Sequence, residues 1–491
     1  MPAEFRLEHP ITYMQVFVIV SFLVVLTAPE LGAGDIALSP AVALSALGVY
    51  WGVAAGLAAF RGRRLAGRLI VSGGADRSAV RRLGLAKLLS HFWLVGGLAG
   101  LMVAGGAYWV GQTGLGRWPL VGDLLAWLPF AVGLLLTWLL DYPASRAVQH
   151  LSAQSNLMSG RPAARPWTLG EYIGFNLRHH VLFALVPVGT IVFLTESVEI
   201  WLVPMVADPV YQHLLLGGSS LLAAGSVFLV APAAVVRIWR TRPLPAGPLR
   251  DDLDALCRRL GIRYRQLRLW QTGGQIANAG VMGVLPQVRY ILLTDALLEH
   301  LDRRRVLAVF AHEAGHVLAH HIAYFVVFAI SSIVLCTYAA EWMGHVLGLG
   351  GPWRGILALA AMVACWALVF GWISRQFERE SDVVGAWAAE WLTGQDDQAP
   401  EDTVTVEGAT TFASALEELS ELNGMPRRRF NWRHGTIHSR VDYLLQLAGR
   451  GGGRSEAHRR ARGIRRGLLA TAAVSAALLA ANGLGWAWPP V

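Results

Sequence analysis

Long apolar runs constrain this chain more than any other feature of its sequence. A helix crosses a bilayer when about 20 largely apolar residues let it satisfy every backbone polar group internally. Stretches that meet or approach this demand occupy residues 11–26, 41–60, 92–110, 120–140, 181–193 and 214–236, then 322–340, 356–373 and 468–486. The expected fold class is therefore mainly α, a polytopic membrane protein with about nine transmembrane helices and a small cytoplasmic α+β domain between them. Only 15% of the 491 residues carry a formal charge, against roughly 25% in soluble domains. That scarcity excludes a disordered chain and argues against a soluble one. The first run is flanked by Glu4 and Glu8 beside Arg6, not by the positive stretch of a signal peptide, and reads as a retained anchor.

The formal net charge is +9 and the pI about 9.9. In a soluble protein that balance invites a nucleic-acid reading, but the positive residues are distributed as an orientation signal. Arg61, Arg63, Arg64, Arg68, Arg77, Arg81, Arg82 and Lys87 lie between the second and third runs. Arg146, Arg161, Arg165 and Arg178 follow the fourth, and Arg237, Arg240, Arg242 and Arg250 follow the sixth. The alternate loops carry Glu30 and Asp35, then Arg117, then Glu196, Glu199 and Asp208, then Glu341 with Arg354. By the positive-inside rule the arginine-rich loops face the cytoplasm, together with the N-terminus and both long polar segments. The expected partners are thus the lipid bilayer and a protein or peptide substrate, with no nucleic acid; the oligomeric state stays open. Lys87 is the only lysine, and this arginine- and alanine-rich usage points to a GC-rich bacterial genome, hence to the inner membrane. Cys257, Cys336 and Cys365 are too few and scattered for a disulfide framework or a thiolate zinc cage.

These patterns divide the chain into an N-terminal membrane domain of about six helices (1–236), a cytoplasmic α+β segment (237–321), a transmembrane hairpin (322–373), a second cytoplasmic segment (374–466) and a last transmembrane helix (467–491). Within 237–321, helical spacing covers 251–260, alternation predicts a strand over 264–270, and a β-rich run over 288–293 ends at Thr294, a helix cap. Residues 275–283 fit an edge strand broken by glycine. The 374–466 segment contains an acidic loop with Asp396, Asp397, Glu401 and Asp402 and closes in a basic Gly/Arg linker.

His312-Glu313-Ala314-Gly315-His316 carries the chemistry. On a helix, positions i and i+4 share a face, so two imidazoles can bind one Zn²⁺ while the adjacent glutamate reaches a water beside it. His316 lies six residues before the 322–340 run, about 9 Å at 1.5 Å per residue, and Glu378 lies five residues after the 356–373 run, about 7.5 Å. If these runs form an antiparallel hairpin, both side chains reach the same depth, which makes Glu378 the natural third ligand. Glu380 sits on the opposite helix face and is the weaker candidate. Asp382, one turn beyond Glu378, can fix a ligand histidine or form a surface ion pair with Arg379. Ile322, where a third histidine would stand, argues against a metzincin arrangement. His320 and His321 read as helix-packing or interfacial residues.

These residues resemble the integral-membrane zinc metalloproteases that include HtpX and the CAAX prenyl endopeptidases, gluzincins in the broader classification. The resemblance covers residues 276–447. Asn278-Ala279 precedes the His312 helix; Ser374-Arg375 and Glu378-Arg379-Glu380-Ser381-Asp382 follow; His434 with Arg440 six residues later looks like the family's His-Pro element, with Gly435 in place of proline. His321 matches a histidine often seen after the family's zinc helix. The resemblance implies Zn²⁺ held by His312, His316 and Glu378, Glu313 as general base, and Asn278 and Ala279 on a substrate-binding edge strand. It further implies His434, with Arg440, as stabiliser of the tetrahedral oxyanion. The glycine departure leaves His438 as an alternative to His434, and Arg440 is open to a structural role beside Asp382.

The expected function is a zinc metalloendopeptidase that cleaves membrane or membrane-associated proteins in quality control, with its active site facing the cytoplasm. The alternatives are a specific processing protease for a lipidated or peptide substrate, or a membrane sensor that uses the zinc domain for signalling; the intact Glu313 argues against the latter. A transporter would require ionisable residues within the early runs, which show few.

Overall fold

The computed structural model describes residues 11–27, 38–71, 77–158, 160, 162–391, 402–423 and 425–483. Asp396, Asp397 and Glu401 of the expected acidic loop lie outside the described residues. Among the described residues, seven helices are long and apolar enough to cross a membrane: Pro40–Arg68, Gly84–Gly106, Val121–Met158, Leu169–Met205, His321–Val346, Trp353–Ala389 and Arg454–Ala481. A pair bent by 43°, Leu215–Val227 with Leu229–Ile238, makes an eighth if taken as one span, and Met14–Thr27 is a shorter apolar helix. Each of the nine apolar runs thus overlaps a helix, with residues 484–486 of the last run outside the described residues. The fold is mainly α and polytopic, with one small sheet.

The chain divides into two compact units, the first comprising Met1–Arg242, Arg268–Ile276 and Leu422–Gly424, the second Pro243–Leu267, Ala277–Glu421 and Met425–Val491. The core of the first unit is built from fully buried Val18, Phe22, Leu98, Phe130 and Leu134. Its lysine, Lys87, is buried and donates to Ser145 Oγ at 2.9 Å, so the charge is held inside the helix packing.

Four strands, β1 (Thr241–Pro243), β2 (Gln266–Trp270), β3 (Ala279–Met282) and β4 (Tyr290–Thr294), form a sheet in the order β1-β2-β4-β3. β3 and β4 are antiparallel, with Ala279 opposite Leu293 and Met282 opposite Tyr290. All five residues of β4 are buried, as expected of a strand flanked on both edges, whereas β3 closes one edge of the sheet. At the end of β4, Thr294 Oγ accepts the N–H of Leu297 at 3.2 Å and starts the short helix Asp295–His300. Asp302 then caps the helix Arg303–Leu318 by accepting the N–H of Arg305 at 2.9 Å. Each cap satisfies a donor that the first helical turn leaves without a partner.

Candidate active site

The helix Arg303–Leu318 carries His312, Glu313 and His316, and every residue from Val306 to Ala311 on it is buried. It stops at His320, whose backbone adopts a left-handed conformation (φ 55°), and the apolar helix His321–Val346 begins at once. The helix Gly371–Trp391 supplies Glu378, Glu380 and Asp382. Glycines set how closely the two helices approach. A Cβ on Gly315 would lie 3.0 Å from Ser381 Cα, and one on Gly385 would lie 3.2 Å from the Ala308 carbonyl oxygen. The glycine inside the histidine motif is therefore the point at which the histidine and carboxylate helices touch.

That contact brings His312, His316 and Glu378 together, each offering one ligand atom, all within 4.8 Å of one another. The two Nε2 atoms are 3.3 Å apart. Glu378 Oε2 is 3.6 Å from His312 Nε2, and Oε1 is 3.7 Å from His316 Nε2. Nitrogen and oxygen ligands at tetrahedral positions around zinc are separated by about 3.3–3.6 Å. Both the donor chemistry and the spacing therefore fit a single ion. Glu378, with 4% of its surface exposed, is otherwise a carboxylate with little access to water.

Two networks orient these side chains from behind. In the first, Arg440 Nε donates to Asp382 Oδ2 at 2.8 Å, its Nη2 donates to Oδ1, and its Nη1 lies 3.2 Å from Glu378 Oε2. Asp382 Oδ1 is also 2.9 Å from His312 Nδ1, close enough for an ion pair but outside hydrogen-bond alignment. Arg440 is buried and its pKa stays raised: burial opposes its charge, but Asp382 and Glu378 outweigh that cost. Burial likewise pushes His312 down, yet the nearby charges of Asp382 and Glu378 raise it overall. In the second network, His316 Nδ1 is 2.8 Å from His321 Nδ1, and His321 Nε2 is 2.9 Å from Glu380 Oε2. Glu380 is also paired with His458 and Arg465.

The second network has one consistent set of protons. Burial holds His316 well below its ordinary pKa, so its imidazole is neutral. With Nε2 unprotonated toward the ligand cluster, Nδ1–H donates to His321, and His321 Nε2–H donates to Glu380. His321 is fully buried and stacked on Phe377 at 4.1 Å. His321, expected as a helix-packing or interfacial residue, and Glu380, the weaker ligand candidate, both stand behind His316. An ionisable residue at the head of an apolar span was the signal available.

Glu313 is half-buried beside the cluster. Burial, with the Glu378 charge added, raises its carboxyl above the usual range despite His312 nearby. His434 Nδ1 lies 2.8 Å from Glu378 Oε1, while its side chain remains 44% exposed. A tight loop presents it: Asn431 and Gly435 exchange N–H···O bonds at 3.0 and 2.7 Å, and Asn431 Oδ1 accepts the N–H of His434 at 3.2 Å. Gly435 has φ +75°, so the loop uses both the left-handed backbone and the N–H that proline lacks. His438 pairs outward with Asp442 at 3.3 Å. Asn278 donates its N–H to Thr294 Oγ at 2.8 Å, and its carbonyl accepts the N–H of Thr294 at 3.1 Å. These bonds anchor the start of β3, which packs against the His312 helix.

Residues 243–411 match the model of Peptidase family M48. A protein described as "Protease HtpX homolog" from Aeropyrum pernix is 30% identical over 173 residues, 33% of this chain and 53% of that protein. Another HtpX homolog, from Pyrobaculum calidifontis, is 28% identical over 217 residues, 42% of this chain and 62% of its own length. The chain thus spans little more than half of the curated relatives it matches. The crystal structure of S. mikatae Ste24p aligns with a TM-score of 0.49 and 14% identity over 84% of this chain and 100% of that one.

Proposed function

We propose that this chain, which matches Peptidase family M48 over residues 243–411, is of the HtpX and CAAX prenyl endopeptidase type, a zinc-dependent endopeptidase acting on membrane or membrane-associated proteins in quality control. The observation that carries this reading is the convergence of His312, His316 and Glu378 ligand atoms within 4.8 Å, with Glu313 beside them. His312, His316 and Glu378 would hold the ion, which when bound supplies a Lewis acid for the scissile carbonyl and lowers the pKa of water.

Glu313 is the general base. Its raised pKa suits a group that takes a proton from the attacking water and returns one to the leaving amine. His434 stands at the exposed rim of the cluster, where it can hold the developing oxyanion of the substrate. Arg440 acts through other groups, orienting Glu378 and Asp382. The substrate lies extended along β3 from Asn278 and Ala279, bound through its backbone, which favours broad sequence tolerance. The arginine distribution supports a cytoplasmic active site in a bacterial inner membrane.

The test is cleavage of an unfolded membrane-protein substrate by the wild type and by Glu313→Gln, with zinc measured in both. The variant is expected to lose turnover while it retains about one zinc per chain. Proteolysis at the wild-type rate in Glu313→Gln would remove Glu313 from the mechanism.

A further inference from the structure

Within the first unit, a cavity of about 200 Å³ is lined by Arg165, Trp167, Phe175, Arg178, Arg240 and Gly273, among others. Its wall is an aromatic stack with fixed protons. His179 Nδ1–H donates to the Phe175 carbonyl at 2.9 Å and its Nε2 accepts from Trp270 Nε1 at 3.2 Å. The ring stacks on Phe175 at 3.9 Å and on Trp270 at 5.3 Å, and Trp270 stacks on Trp239 at 4.3 Å. Gly273 backs onto Trp167: a Cβ there would lie 3.3 Å from the indole nitrogen.

The charges in this cavity do not balance. Glu171, its carboxylate, is already engaged by Arg165 and by the N–H of Thr168 at 2.9 Å, where it completes a capping box. Among the described residues, neither Arg178 nor Arg240 has a side-chain hydrogen bond or an ion pair, and Nε of Arg178 is buried without a partner. Arg240 is also one of the non-glycine residues with positive φ, at 38°, a conformation that side chains other than glycine adopt at a cost. Two guanidinium groups facing one cavity without a counter-charge are unfavourable alone and well suited to a shared anion, because each offers a planar fork of donors that matches phosphate oxygens.

The position narrows the source of the anion. Arg165 lies just before the apolar helix Leu169–Met205, and Arg240 just after Leu229–Ile238. Both helices meet the cavity at their ends, and Trp167 and Trp239 stand there, at the level where tryptophan gathers beside headgroups. We propose that this cavity binds a phosphate group between Arg178 and Arg240, and that an anionic phospholipid headgroup supplies it.

The experiment compares thermal unfolding of the purified full chain in nanodiscs of phosphatidylcholine, in the same nanodiscs with phosphatidylglycerol added, and in phosphatidylcholine with inorganic phosphate in the buffer. Phosphatidylglycerol is expected to raise the Tm of the wild type by roughly 3 °C or more. The Arg178→Gln/Arg240→Gln variant should lose most of that rise. Arg237→Gln should keep it, because the Arg237 guanidinium bonds the Ala233 carbonyl at 3.2 Å and does not line the cavity. If the glutamine variant does not fold, Arg178→Lys/Arg240→Lys keeps the charge without the forks and should lose the larger part of the rise. A rise produced equally by inorganic phosphate overturns the headgroup assignment and assigns a soluble phosphate. Equal rises in the wild type and the Arg178/Arg240 variants, or no rise in the wild type, overturn the site.

Discussion

Each oxygen of Glu378 is shared between a histidine of the ligand cluster and a group that orients the carboxylate. Oε1 faces His316 at 3.7 Å and His434 at 2.8 Å; Oε2 faces His312 at 3.6 Å and Arg440 at 3.2 Å. Arg440 is thus the counter-charge of two nearly dry carboxylates, Glu378 and Asp382. Arg440→Gln strips both, and removing one partner of a buried ion pair costs about 3–5 kcal/mol; a wild-type Tm in that variant would contradict the role. His321 makes a separate prediction. His321→Phe keeps the ring volume and the stack on Phe377 but removes the acceptor for His316 Nδ1. Losing such an outer partner weakens metal binding by roughly tenfold to a hundredfold. Competition with a chelator measures this, and unchanged affinity would reduce His321 to a packing residue. Why the sequence revealed His312, His316 and Glu378 but not this layer is a matter of geometry. The i, i+4 spacing and the distance from each span are linear quantities, whereas Glu380 gains its role only because its helix is buried on the face opposite Glu378 as well.

At the scale of elements, the helices were legible because hydropathy and caps are local, and Thr294 ends up capping a helix as its sequence position suggests. The loop from Asn431 to Gly435 was not, because its signature proline is missing. The structure supplies the reason: this loop closes by hydrogen bonds that proline cannot make. Gly435→Pro, although it restores the His-Pro string of the resembling family, is therefore expected to harm this chain. It forces φ from +75° to the proline value near −65° and leaves the Asn431 carbonyl without its donor. The larger consequence is displacement of His434 from Glu378; in the proposed role of His434, such a misplacement can cost roughly a hundredfold in kcat. Steady-state kinetics with zinc content measured in parallel checks this; wild-type kcat in Gly435→Pro would mean that the loop does not position His434.

For the whole molecule, the excess of positive charge and the scarcity of charge overall have one explanation. Nearly half of the chain lies in helices apolar enough to span a bilayer, so charge gathers at the ends of those helices and in the connections, and its sign there is the orientation signal. The same confinement makes Glu378, Glu380 and Asp382 conspicuous: they are buried carboxylates at the end of an apolar helix that runs from Trp353 to Ala389. The proposed orientation puts residue 246, ahead of the His312 helix, on the cytoplasmic side and residue 350, between the helices His321–Val346 and Gly351–Cys365, outside. Single cysteines introduced as Ala246→Cys and Gly350→Cys, with the native cysteines replaced by serine, separate the two faces. A membrane-impermeant maleimide applied to intact cells should label the cysteine at 350 and spare the one at 246 until the membrane is opened. The reverse pattern would put the His312 cluster outside the cytoplasm, and with it the pool of proteins from which a substrate is drawn. Labelling of both positions in intact cells would mean that residues 246 and 350 share a face, which an antiparallel arrangement of these spans does not permit.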